Sequence, residues 1–262
     1  MQKFLIFIVI IAGALILLLS IPSWLPFGGG KETSVEVTDN IRSIDFDLSG
    51  ISTIIVPENR SNLEVTLDGK GSVEVSTEGD QIKIEYQRRF FEQFGFFDNT
   101  ELIVYVPEDY DQDMDIEVGS GNVQFNGKSN MSINHLEMEV GSGNIAIDSL
   151  KTKSGVMEIS SGNIDLKQYT GQIEADVSSG NLMIQMEQVT GPVELDVSSG
   201  HVLLDLPENA NFTLEGQVSS GFIDNKFDLK NTVQNEKEVS RVYGTGDHPI
   251  NLDVSSGVIE IK

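Results

Sequence analysis

Five short stretches decide how this chain is read: Glu117-Val118-Gly119-Ser120-Gly121-Asn122, Glu139-Val140-Gly141-Ser142-Gly143-Asn144, Glu158-Ile159-Ser160-Ser161-Gly162-Asn163, Asp176-Val177-Ser178-Ser179-Gly180-Asn181 and Asp196-Val197-Ser198-Ser199-Gly200-His201. Two further Ser-Gly pairs, at Gly221 and Gly257, extend the series. The gaps between the seven glycines are 22, 19, 18, 20, 21 and 36 residues. Alignment on them exposes apolar columns. Three residues before the glycine stand Val118, Val140, Ile159, Val177, Val197, Val218 and Val254. Two residues after it stand Val123, Ile145, Ile164, Leu182, Val202, Ile223 and Ile259. Columns five before and four after are apolar too, apart from Gly216 and Asn225.

These columns carry a structural meaning. In an unbroken strand, positions separated by an odd number point to opposite faces. Residues three before and two after each glycine therefore reach one core only if the chain turns or bulges at Ser-Gly. Glycine supplies the freedom or the close backbone approach that such a turn needs. Turns recurring at this spacing predict an all-β chain, a single-stranded β-solenoid (β-helix) of about 20-residue coils. An antiparallel sandwich with similar hairpins is the competing all-β reading.

Upstream, strand-like segments with period-two alternation continue from Ile41 to Val106, and Pro57 and Pro107 each end one. The expected organisation is an N-terminal membrane anchor over 1–27, a Gly-rich linker over 28–33, an irregular β region or cap over 34–110 and marked repeats over 111–262. The anchor expectation rests on the uncharged apolar run from Phe4 to Ile21, 18 positions, with Trp24 just beyond it. Lys3 favours an N-in, C-out orientation, hence a single-pass cell-membrane protein with its large domain on the extracytoplasmic side. A cleaved signal peptide is the alternative.

The formal net charge is −24, from 41 acidic and 17 basic residues. Such a surface repels nucleic acid and attracts basic partners or, diffusely, divalent cations. Cysteine is absent, which excludes disulfides, thiol nucleophiles and thiolate metal sites. No Gly-x-Ser-x-Gly elbow appears, and the three histidines (His135, His201 and His248) show no ligand spacing. Asp109, Asp111, Asp113, Asp115 and Glu117 alternate along one face. A calcium loop starting at Asp109 would put Met114 where the turn glycine belongs, so a solvated acidic face is expected instead. No catalytic residue, metal site or cofactor is expected.

Two groups stand out. Asn122, Asn144, Asn163 and Asn181 follow successive glycines, with His201 next in the column; a side-chain amide ladder is the structural expectation. The segment Arg88-Arg89-Phe90-Phe91-Glu92-Gln93-Phe94-Gly95-Phe96-Phe97 holds five of the 13 phenylalanines. It reads either as a lobe capping the first coils or as a partner or membrane contact made by Arg88, Arg89, Phe90, Phe91, Phe94, Phe96 and Phe97. The turn glycines Gly121, Gly143, Gly162, Gly180, Gly200, Gly221 and Gly257 are the expected structural positions.

The apolar N-terminal segment, the short linker and the EVGSGN-type series resemble the LiaG-like proteins of Gram-positive bacteria and, more widely, bacterial adhesin-like β-repeat domains. The resemblance implies a cell-envelope setting connected with envelope stress and brings no catalytic residues. It leads to the expectation of a non-catalytic, membrane-anchored envelope protein acting as scaffold or accessory in a stress response, with a membrane or envelope protein as partner. The alternative is an adhesin-like module that binds glycan or another surface ligand.

Overall fold

The chain pairs like with like. Asn163 of one repeat stands beside Asn144 of the preceding one and Asn181 of the next, in parallel register. The computed structural model describes residues 31–88, 100–127, 131–227, 230–235 and 238–262. Its N-terminal strands are β1 (Lys31–Glu36), β2 (Ser43–Glu58), β3 (Asn62–Asp68), β4 (Ser72–Glu78), β5 (Gln81–Gln87) and β6 (Glu101–Pro107). The marked repeats give β7 (Asp113–Phe125), β8 (Ser132–Val140), β9 (Asn144–Ile147), β10 (Leu150–Ile159), β11 (Asn163–Val177), β12 (Asn181–Gln188), β13 (Val193–Val197) and β14 (His201–Asp205). The C-terminal strands are β15 (Phe212–Val218), β16 (Phe222–Asn225), β17 (Lys230–Asn235), β18 (Glu238–Tyr243), β19 (His248–Val254) and β20 (Val258–Ile261).

Two ladders result. The first runs β4–β5–β2–β7–β8–β10–β11–β13–β19–β15–β18–β17, parallel from β5 to β15 and antiparallel at both ends. The second runs β1–β3–β6–β2–β7–β9–β11–β12–β14–β20–β16, antiparallel only at its start. Strands β2, β7 and β11 cross from one ladder to the other, so the ladders join into a small closed, barrel-like wall with outer antiparallel strands. Inside stand the apolar columns: Val118, Val140, Ile159, Val177, Val197 and Val254 are each at most 2% exposed. Fully burying one such aliphatic side chain stabilises the fold by about 1.5–3 kcal/mol.

The expectation of a β-solenoid of uniform coils behind a transmembrane helix is corrected by this topology. Each repeat gives one segment to each ladder, and antiparallel strands close the ends. Chain order also breaks: β19 lies between β13 and β15, and β20 between β14 and β16. Columns of Val, Leu and Ile pack equally well in either order, so the apolar pattern did not specify the sequence of neighbours. Among the described residues every element is a strand, and no helix is long and apolar enough to cross a membrane. The single-pass placement with an extracytoplasmic domain therefore has no helix behind it among the described residues, and the anchor expected over 1–27 lies outside them.

The turn row explains its glycines. A Cβ on Gly180 would lie 2.2 Å from the carbonyl oxygen of Gly162 and 2.5 Å from Ile159 Cγ2. Gly143, Gly162, Gly200, Gly221 and Gly257 each meet a neighbouring repeat's glycine oxygen within 2.8 Å in the same test. Gly121 adds a left-handed φ of 104°. Because the obstruction is backbone, Gly180→Ala is expected to cost about 2 kcal/mol or more. Gly79→Ala, in open space with only a left-handed φ of 66° against it, should cost about 1 kcal/mol. Urea unfolding of both variants measures the difference; equal costs would mean that the repeats are not in backbone contact.

Candidate functional site

In-register pairing stacks the outward side chains of the first ladder as strictly as the inward ones. One column reads Glu85, Asp47, Glu117, Glu139, Glu158, Asp176, Asp196 and Asp253 across β5, β2, β7, β8, β10, β11, β13 and β19. Its neighbour reads Lys83, Asp45, Asp115, Glu137, Val156, Glu174, Glu194, Asn251 and Glu215. The alternating acids from Asp113 to Glu117 are part of this face, whereas Asp109 lies exposed in the preceding turn. Successive strands are about 4.8 Å apart, so neighbouring carboxylates repel. Lys83 relieves one end, 3.6 Å from both Asp47 and Glu85.

At the other end the face becomes a groove of about 820 Å³. It is floored by β11, β13, β19 and β15 and bordered by Val239 and Ser240 of β18. Glu174, Asp176, Glu194, Asp196, Glu215 and Asp253 line it, together with Asn251, Gln217 and Ser240, and none of its lining residues is Lys, Arg or His. Burial, then Asp253 and Asp176, pushes the Asp196 carboxyl above the ordinary range. Alignment on Gly180 and Gly200 already sets Glu174 level with Glu194 and Asp176 level with Asp196, but it does not reveal the groove. The signal for it is the insertion of β19, which depends on tertiary structure. Among the described residues no three His, Asp or Glu side chains are arranged to hold a metal ion.

The other sequence candidates lie elsewhere. Asn144, Asn163 and Asn181 each donate an amide N–H to the Oδ1 of the preceding asparagine, at 2.7, 2.6 and 2.6 Å. The amides thus satisfy one another. His201, next in that column, sits 3.3 Å from Glu260, and His135 bonds Ser154, so these two histidines do not meet. Tyr169 is fully buried, with its hydroxyl 2.6 Å from Thr152 Oγ1 and its pKa pushed up to about 12 by burial. It offers no aromatic platform to a sugar. Arg88 is exposed at a second, mixed-charge groove of about 650 Å³ beside Asn122. Arg89, Phe90, Phe91, Phe94, Phe96 and Phe97 lie outside the described residues.

Residues 41–262 match the Toastrack DUF4097 family, and the chain belongs to that family. The domain is non-catalytic. The match supports the earlier resemblance at the level of a β-repeat domain. No curated protein matches the chain. Among solved structures it is similar to a candidate adhesin of Bacteroides fragilis, at 10% identity over 90% of this chain and 99% of that one, with a TM-score of 0.44. It is also similar to a candidate adhesin of Parabacteroides merdae, at 15% identity over 90% and 97%, TM-score 0.41. A candidate lipid-binding protein of Parabacteroides distasonis gives 14% identity over 90% and 98%, TM-score 0.41. At such scores these likenesses carry no inference about ligands.

The carboxylate columns set a pH dependence. Asp115 is pushed up to about 6, chiefly by burial and then by Glu137, Asp45, Glu117 and Glu139. In the unfolded chain it titrates near 4. Between those values the folded state binds more protons than the unfolded one, so stability falls as pH rises through this window. Asp115 is half-buried, and solvent screening leaves the effect on the order of 1 kcal/mol. The melting temperature should therefore rise as pH is lowered from 7 to 5. Asp115→Asn should raise stability at pH 7 and flatten that slope. A wild-type protein that steadily loses stability over this range would contradict the stacking.

Proposed function

We propose that this domain is a non-catalytic, adhesin-like binding module of the cell envelope that holds a cationic surface ligand, a basic segment of another protein, along its acidic face. The carrying observation is the groove lined by six carboxylates with no basic residue among its lining. Such a surface concentrates positive charge and steers a basic partner toward it. Association there releases the repulsion stored between Asp176, Asp196 and Asp253. The envelope setting is supported by the likeness of the EVGSGN-type series to LiaG-like proteins. The accessory role in envelope stress has only that likeness behind it. Tyr169, which could have offered a glycan a stacking face, is buried.

The test uses a fluorescent oligolysine peptide and the triple variant Glu174→Gln, Glu194→Gln, Asp196→Asn. Each exposed ion pair contributes about 0.5 kcal/mol, so three losses should weaken binding by about tenfold. Binding to the wild type should also fall with added salt. A Glu58→Gln variant, away from the groove, serves as the control. Equal affinity of the triple variant and the control would remove the groove from the account.

A further inference from the structure

The second ladder ends differently from the first. In the first, the last repeat's strand β15 is covered by β18, paired antiparallel from Phe212 to Gln217. In the second, the last strand β16 pairs, among the described residues, only with β20. Along the turn row each repeat donates an N–H to the preceding glycine carbonyl: His201 to Gly180, Val258 to Gly200 and Phe222 to Gly257, each at 3.0 Å. The next acceptor in that series, the Gly221 carbonyl, has no backbone donor among the described residues. Phe222 and Lys226 turn their N–H groups toward β20, so the strand alternation turns those of Ile223 and Asn225 to the open edge.

The side chains show the same missing neighbour. Val123, Ile145, Ile164, Leu182, Val202 and Ile259 are all at most 2% exposed, whereas Ile223, last in the column, is only half-buried. Phe222 is 59% exposed, the most exposed of the large apolar side chains described. Asp224 stands beside Glu260 on the outward face, two acids in adjacent strands. An open edge of this kind is a template for strand addition.

We propose that β16 is a strand-acceptor edge, to which an extended segment of a partner protein adds as one further strand, its apolar residues covering Ile223 on the inner face and its Lys or Arg side chains lying along Phe222 and against Asp224 and Glu260 on the outer face. A second copy of this chain is disfavoured as the occupant, since each copy carries a formal charge of −24. This surface is distinct from the acidic groove, and neither reading depends on the other.

The probe is a short capped peptide of alternating valine and lysine, compared with its analogue N-methylated at alternate residues. N-methylation keeps every charge and removes the backbone donors. Binding should weaken by about tenfold or more with the analogue, because backbone hydrogen bonds carry strand addition. Ile223→Pro removes an outward N–H while sparing the donors that face β20, and it should weaken the parent peptide similarly. Asp224→Lys, which leaves the backbone intact, guards against a folding defect in the proline variant and should also weaken binding. Because the probe is cationic and also meets the acidic groove, edge binding is read as the part of the affinity that N-methylation removes, and that part should be the same in the groove variant described above as in the wild type. Equal binding of the parent and methylated peptides, or no binding of the parent, would overturn the proposal.

Discussion

At the Ser-Gly turns the backbones of successive repeats come closer than any side chain allows. The carbonyl of Gly162 lies where a Cβ of Gly180 would stand, and the carbonyl of Gly180 occupies the same place for Gly200. Asn181 and His201 then donate their N–H groups to those carbonyls, each at 3.0 Å. Close approach and hydrogen bond fix one register, and every column on either ladder follows from it. A slip of one residue would turn Val177 and Leu182 outward together.

The same constraint produces the molecule's electrostatics. Equivalent residues must lie side by side, so an acid at one outward position becomes a row of acids. The asparagine column resolves this by having each amide bond the next. The carboxylate columns have no such solution, since ionised carboxylates only accept hydrogen bonds. Burial and neighbouring charges hold Asp115 and Asp196 partly toward the protonated form. The charge on this face is thus stored repulsion, which a cationic ligand relieves.

The wall's repeating part was legible because period-two alternation and the glycine spacing act locally. Gly216, Asn225 and the 36-residue gap before Gly257 also stood out in the sequence. The structure accounts for the gap and for Gly216. The gap contains β17 and β18, which fold back over β15, while β19 and β20 enter between earlier repeats. Ile223 Cδ1 lies 2.8 Å from where a Cβ on Gly216 would stand, so the small residue makes room for it. Neighbour order was not legible, since Val197 packs as well beside Val254 as it would beside Val218, the equivalent residue of the repeat next in the chain. The groove depends on that order: with β19 elsewhere, Asp253 and Asn251 would not join Asp196 and Glu194. The Phe-rich segment drew attention by composition alone, and composition does not place a side chain.

The inserted repeat is the central claim and can be tested by cross-linking, because the chain contains no cysteine. Glu194 and Asn251 are register partners on β13 and β19, whereas Glu215 on β15 is one strand further away. Neighbouring strands put Cα atoms about 4.8 Å apart, within disulfide reach, and a second strand puts them at about 9.6 Å, beyond it. Cysteines at 194 and 251 should therefore form a disulfide on mild oxidation, while cysteines at 194 and 215 should stay reduced. Efficient cross-linking of 194 to 215, with none between 194 and 251, would show that the repeats stack in chain order and would contradict the account.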